Sequence, residues 1–355
     1  MNTNLDAAST SADSGVRLES EFNILSHVGQ GNNFAATGYV RFLLATIVLM
    51  CHSQNFAHFA VPPFTDFLDP VAAVCAFFLL SGWVISASVE RQINGFYKRR
   101  AERLMPVYLA CLCWAQLPWH LFGQRFMLPG GTVAVLGPVS NWVVIAHVFF
   151  LQNYVGAIEN SFYPAWSLSS EVFYYALAPL LKKISTRYLA IAAGIAIILC
   201  LLKAGFRIPA LPSGYGFETF YMAWAWLAGF IGFRVRKRHP LLTVVILCSM
   251  GAFWNPNGGY LVLLTAGALL FGHHIPFSKT ADKIGVFLGD LSYPLYLSHV
   301  PTLIIVAMYL PASFHGRTMI ALSAAIIISI ILQVVVDAPL QRFFKRGRFK
   351  ANSTA

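Results

Sequence analysis

The sequence predicts an all-α membrane protein: a polytopic bundle of about ten transmembrane helices with one short re-entrant or peripheral apolar segment. Three observations lead there. Hydrophobic residues fill 57% of the 355 positions and charged residues only 11%, against roughly a quarter charged in soluble domains. Apolar runs near the length of a bilayer-spanning helix, about 20 residues, recur from end to end. Lysine and arginine gather in short linkers between those runs, as they do in loops that face the cytoplasm. The net charge of +11 thus reflects membrane orientation, and no nucleic-acid partner is expected.

In chain order, residues 1–36 are polar and lack both a basic n-region and a short apolar core, so they do not form a signal peptide. A flexible cytoplasmic tail is expected there. Apolar segments follow near 38–58, 69–89, 104–122, 140–154, 164–181, 188–203, 217–233, 240–254, 259–273, 288–309 and 318–337. Five linkers, 91–103, 182–187, 234–239, 274–287 and 342–350, hold 19 of the 25 basic residues. If all eleven segments crossed, Lys182, Lys183 and Arg187 would lie outside while 91–103 lay inside. Segment 140–154 is short and carries His147 in its middle. Treating it as re-entrant or peripheral leaves ten crossings, with all five clusters and both termini cytoplasmic. The membrane domain then covers 37–342, and 343–355 is a basic cytoplasmic tail. Cys51, Cys75, Cys111, Cys113, Cys200 and Cys248 all lie in apolar segments without CxxC spacing. They read as packing residues, and no metal site is expected.

Arg41 and His52 open and close one apolar run, eleven residues apart. That is close to three helical turns, about 16 Å along the axis, so both share one face. Ionisable groups in a membrane segment are costly and mark functional sites by default. A neutral buried histidine suits a general base; a satisfied packing residue is the plainer alternative. Tyr163 to Tyr175 reads YPAWSLSSEVFYY, with Ser167 and Glu171 four apart on one face. Leu168 stands where a capping box would need serine or threonine, so capping does not explain Glu171. The ten-crossing topology puts Glu171 at a depth similar to His52. A carboxylate there can fix the imidazole tautomer, or simply make a helix-to-helix hydrogen bond.

Arg100 and Arg103 are three apart in FYKRRAERLMPVY, with Pro106 and Tyr108 following at the membrane entry. The stretch reads as a positive-inside loop, and its guanidinium groups are also placed to hold phosphates. Ser81 and Gly82, inside an apolar helix, permit close helix approach or a local backbone opening. In LSYPLYLSHVP, Pro294 is expected to kink a helix whose His299 serves either a site or packing. Asp337 is expected to pair with a base or cap the last membrane exit, and His273 and His274 to lie at a membrane edge.

Together these segments resemble the acyltransferase-3 family of membrane acyltransferases. The resemblance rests on Arg41 and His52 with ten residues between, FFLLSG at 77–82, Arg100 and Arg103 before Pro106-Val107-Tyr108, WSLSSE at 166–171, and LSYPLYLSH at 291–299. Ala73 stands where the family often has glycine. The resemblance implies transfer of an acyl group, usually acetyl, from cytoplasmic acyl-CoA to a carbohydrate hydroxyl, often on a lipid-linked or exported glycan. It implies catalysis by His52, here paired with Glu171. Arg41, Arg100, Arg103 and Tyr108 are expected near the donor, and Ser81, Trp166, Ser167 and His299 near the substrate. Acyl-CoA is a co-substrate, with no permanently bound cofactor and no metal. The bacterial inner membrane, no appended periplasmic hydrolase-like domain and association with glycan-assembly machinery are further expectations. A transporter or flippase using Arg41, His52 and Glu171 as an ion pathway is the competing class, and a non-enzymatic assembly partner is a third.

Overall fold

The computed structural model describes residues 33–57, 68–123, 125–127, 133–135, 140–156, 160–205, 215–240, 242, 243, 246, 259–311 and 313–353. Most of the tail expected over 1–36 and most of segment 240–254 lie outside them. Residues 33–36 already belong to the first helix.

Among the described residues the regular elements are helices, apart from one pair of short strands. Helix α1 spans Asn33–Ala57 and α2 Pro70–Arg91. The start of α2 is set locally: Pro70 occupies its first turn, and the Asp69 carboxylate accepts from the backbone N–H groups of Val71 at 2.8 Å and Ala72 at 3.1 Å. This satisfies donors that a helix start leaves open. Helices α3 (Phe96–Ala115) and α4 (Leu117–Phe122) follow, then strands β1 (Arg125–Met127) and β2 (Val133–Val135), paired antiparallel. Next come α5 (Asn141–Val148), a 3-10 turn over Asn160–Ala165 and α6 (Trp166–Leu181). Then come α7 (Thr186–Gly205), α8 (Phe217–Val235), α9 (Gly259–Phe271), α10 (Lys279–Tyr309) and α11 (Arg317–Leu332). A π-helical turn, Gln333–Asp337, leads into α12 (Ala338–Ser353). Position 343, where the basic tail was expected to begin, lies inside α12.

Among the described residues, five helical stretches are long and apolar enough to cross a membrane: Ala35–Gln54, Pro70–Arg91, Thr186–Lys203, Lys279–Tyr309 and Arg317–Arg346. The ten expected crossings exceed that number for identifiable reasons. The first turns of α3 are the basic linker itself, carrying Lys98, Arg99, Arg100 and Arg103. Helix α6 has 16 residues and α9 only 13, shorter than the roughly 20 that span a bilayer without help from neighbouring turns. Helix α5 has eight, about 12 Å of rise, which is too short to cross. Its side chains Trp142, Ile145 and the following Phe149 are exposed, as fits an apolar helix lying along a membrane face.

Two close helix pairs position the site. Helix α2 meets α8 with almost no intervening side chain: a Cβ on Gly82 would fall 1.9 Å from the Trp226 carbonyl oxygen, and one on Gly229 1.9 Å from that of Leu79. Both glycines are obligatory at that distance, and the expectation of close approach at Gly82 is met. Leu79, Trp226 and Phe230, all nearly inaccessible, fill the core beside this contact. Helix α1 lies against α10 along much of its length. Helix α10 runs on through both Pro294 and Pro301. These pairings carry residues from opposite ends of the chain to one place.

Candidate active site

A cavity of about 160 Å3 opens between α1, α2, α3, α6 and α10. Three guanidinium groups line it, those of Arg41, Arg100 and Arg103, together with the carboxylate of Glu171 and the hydroxyls of Ser81 and Ser167. Helical spacing accounts for the grouping. Arg100 and Arg103 are three apart on α3, and Ser167 and Glu171 four apart on α6, so each pair projects from one face. The apolar wall is made chiefly by Phe77, Phe78, Val84 and Leu104.

The three arginines are in different electrostatic situations. Arg103 is cross-linked, through Nη2 to Asp290 Oδ1 at 2.9 Å and through Nη1 to Asp337 Oδ2 at 3.1 Å. The Asp337 side chain is only 2% exposed, so the expectation that it pairs with a base is met by a buried ion pair. Arg100 donates from Nη2 to Ser88 Oγ at 2.9 Å, while its Nε is buried without a hydrogen-bond partner among the described residues. Arg41 makes no hydrogen bond or ion pair among the described residues, although its side chain faces the cavity. A guanidinium that faces a cavity without a carboxylate partner is chemically able to hold an anion.

Glu171 Oε1 accepts from Ser81 Oγ at 2.7 Å and from the Tyr175 hydroxyl. The expected pairing of Glu171 with His52 is therefore not the one formed. His52 Nδ1 instead lies 2.8 Å from Nε2 of His299, with the two ring planes only 15° apart and their centroids 5.1 Å apart. The physical reason is lateral. The expected topology put Glu171 and His52 at one depth, but α1 packs against α10, so His299 is the neighbour within reach.

The histidine pair adjoins the cavity without lining it. Tyr296 stands between them: its hydroxyl lies 2.7 Å from Ser167 Oγ, and its ring centroid 6.2 Å from that of His299. On the other side the His52 ring meets Tyr163, which is 43% exposed, edge-on at 6.5 Å. The polar groups thus continue from Arg100 and Arg41 through Ser167 and Tyr296 to the His299–His52 pair.

Two other expected site residues lie elsewhere. Tyr108 is buried against Phe150, at 4.4 Å between ring centroids, and against Phe162, and its hydroxyl donates to the His147 carbonyl at 3.0 Å. It anchors the segment around α5 to α3 and does not reach the cavity. Trp166 packs half-buried against the main core and is not part of the lining. His273 and His274 are exposed, as their surface reading required. Among the described residues no three His, Cys, Asp or Glu side chains converge as a metal ion would require.

Tyr175, Tyr296 and Asp290 were missed in the sequence. Tyr175 follows Glu171 by four residues, and Tyr296 precedes His299 by three, so helical spacing alone could have grouped them. Nothing local marks Asp290 as the partner of an arginine 187 positions away.

With this geometry in view, the comparisons with known proteins give one positive result. The family model Acyl_transf_3, described as an acyltransferase domain, matches residues 35–334. No curated protein and no solved structure matches the chain.

Proposed function

The chain belongs to the acyltransferase-3 family, and from that premise we propose that this membrane acyltransferase moves an acyl group, acetyl in the first instance, from cytoplasmic acyl-CoA to a carbohydrate hydroxyl on an exported or lipid-linked glycan. One observation carries the donor side of this reading: the unpaired Arg41 guanidinium faces a cavity that also holds Arg100. These two groups hold the donor's phosphate end. Arg103, already engaged by Asp290 and Asp337, braces α3 against α10 and adds its residual field.

In the proposed topology both termini and the basic linkers face the cytoplasm, in the plasma membrane of a bacterium, with ten crossings in all. The donor enters beside Arg100 and its acyl-pantetheine arm extends along α1 toward His52. His52 takes the proton of the acceptor hydroxyl as its oxygen attacks the thioester carbonyl. The tetrahedral intermediate collapses with CoA leaving as thiolate, which then takes up the proton. General-base assistance of this kind contributes about 10²–10⁴-fold. Glu171 holds the hydroxyls of Ser81 and Tyr175 in place at the cavity wall, and Tyr296 with Ser167 closes the side facing His299. Tyr163, exposed beside His52, supports a carbohydrate acceptor, since an aromatic face at a polar mouth suits a sugar ring.

The test is direct. Purified protein in liposomes is given acetyl-CoA and membrane glycolipid, and CoA release and acetyl incorporation are followed together. Both should occur with the wild-type chain and stop with His52→Ala. Movement of substrate without consumption of acetyl-CoA would instead support a transporter.

A further inference from the structure

We propose that His299 is the positioning residue for His52: it locks His52 in the tautomer that carries hydrogen on Nδ1 and the lone pair on Nε2. This rests on the reading of His52 as the general base and assigns which nitrogen does the work.

The inference follows from donor and acceptor accounting. His299 Nδ1 lies 3.1 Å from the Leu295 carbonyl oxygen, one turn back on α10. A carbonyl only accepts, so the hydrogen of that bond sits on His299 Nδ1. The His299 ring is wholly inaccessible, and a second proton on it would be a buried charge whose ring partners are the Leu295 and Tyr296 backbone and another imidazole, with no carboxylate among them. Neutral His299 therefore has its lone pair on Nε2. That nitrogen is 2.8 Å from His52 Nδ1, and a lone pair needs a hydrogen opposite it. His52 Nδ1 must donate, which leaves the basic lone pair of His52 on Nε2.

The Leu295 carbonyl thus sets His299, and His299 sets His52, in a relay of orientation in which no proton moves. The arrangement fills the role that a carboxylate plays in a triad, but without placing a negative charge in the membrane interior. Its cost is lower, and so is its benefit: a neutral acceptor fixes the tautomer without strongly stabilising the imidazolium formed during transfer. The two rings are within 15° of parallel, so the hydrogen bond lies near their common plane and restricts rotation of His52 about its side-chain bonds as well.

Two measurements test this on the full chain in liposomes, with acetyl-CoA as the donor probe. In the first, His299→Leu removes the acceptor and His299→Gln restores an acceptor near the position of Nε2. Expected are a fall of about 100-fold in kcat for His299→Leu, at the lower edge of general-base contributions. The KM for acetyl-CoA should change less than about threefold, and His299→Gln should recover to within about tenfold of wild type. Equal losses in the two variants, or full kcat in His299→Leu, overturn the proposal. The second measurement needs no change at His299. In 15N-histidine-labelled protein, a through-hydrogen-bond nitrogen–nitrogen coupling should join a protonated Nδ1 to an unprotonated Nε2 and vanish in His52→Ala. A coupling with the proton on Nε2 reverses the assignment and refutes it. Should His52→Ala retain full activity, the general-base reading fails, whatever the tautomer.

Discussion

Replacing Arg103 by leucine separates a structural brace from a donor anchor. Arg103 holds two carboxylates of unequal exposure: Asp290 is 42% exposed and Asp337 only 2%. The exposed arm is worth about 0–1 kcal/mol, as surface ion pairs are. The buried arm decides the outcome, because removing one partner strands a desolvated carboxylate at a cost of about 3–5 kcal/mol. Asp337 keeps its bond from Gln341 Nε2 at 3.2 Å, which places the expected loss near the lower end of that range. At about 2 °C per kcal/mol for a large chain, the melting point should fall by roughly 6 °C or somewhat more. Tryptophan fluorescence melting in detergent reads this, and the eight tryptophans give ample signal. The double variant Arg103→Leu with Asp337→Leu removes the stranded charge and should regain most of the loss. The KM for acetyl-CoA should move less than about threefold in the double variant, a fraction of a kcal/mol at 1.4 kcal/mol per tenfold. Equal melting points for single and double variants would refute the brace. A tenfold rise in KM in the double variant would return Arg103 to the donor site.

Arg41→Ala should raise the KM for acetyl-CoA at least tenfold with little effect on melting, since hydrogen bonds to charged groups are worth about 1.5–3 kcal/mol; titration of the initial rate checks it. Glu171→Gln weakens the bonds from Ser81 and Tyr175 from charge-assisted to neutral strength, and should lower kcat/KM about tenfold, about 1.4 kcal/mol. Gly82→Ala puts a methyl group 1.9 Å from the Trp226 carbonyl oxygen. It should cost about 3 kcal/mol as the helices part, seen as a lower melting point together with reduced kcat because Ser81 moves with α2. Tyr108→Phe should leave the KM for donor unchanged within about twofold, because the tyrosine contacts α5 and Phe162 rather than the cavity; the loss of its hydroxyl's contacts with the His147 carbonyl and Nδ1, about 1 kcal/mol per neutral hydrogen bond, appears in melting alone.

Much of this site was legible in the sequence because its members obey local spacing. Arg41, Ser81, Ser167 and Glu171 were marked by a charge or hydroxyl in an apolar segment, Arg100 and Arg103 by their spacing of three in a basic linker, and all six line one cavity. Pairings across helices were harder to read. Hydropathy and the positive-inside rule order residues by depth, and depth paired His52 with Glu171. Lateral neighbours are chosen by where backbones can approach, and that depends on small residues at facing positions of helices far apart in sequence. His299 sits 247 residues from His52, a separation no periodicity bridges. Tyr108, expected near the donor, is absent from the cavity lining for a related reason. A tyrosine at a membrane entry looks like a ligand until α5 and the turn before α6 are seen to cover it. The number of crossings depended on counting apolar runs, whereas α3 mixes a basic turn with an apolar one and α6 and α9 are short.

In the proposed function His52 acts at the thioester of a donor anchored from the arginine side. The measurement that tests it most directly is CoA release from acetyl-CoA by the purified chain in liposomes, wild type against His52→Ala, with donor binding followed in parallel. His52→Ala should bind acetyl-CoA as tightly as wild type, within about threefold, and release CoA at least about 100-fold more slowly. Undiminished CoA release by His52→Ala, or loss of donor binding equal to the loss of rate, would contradict it.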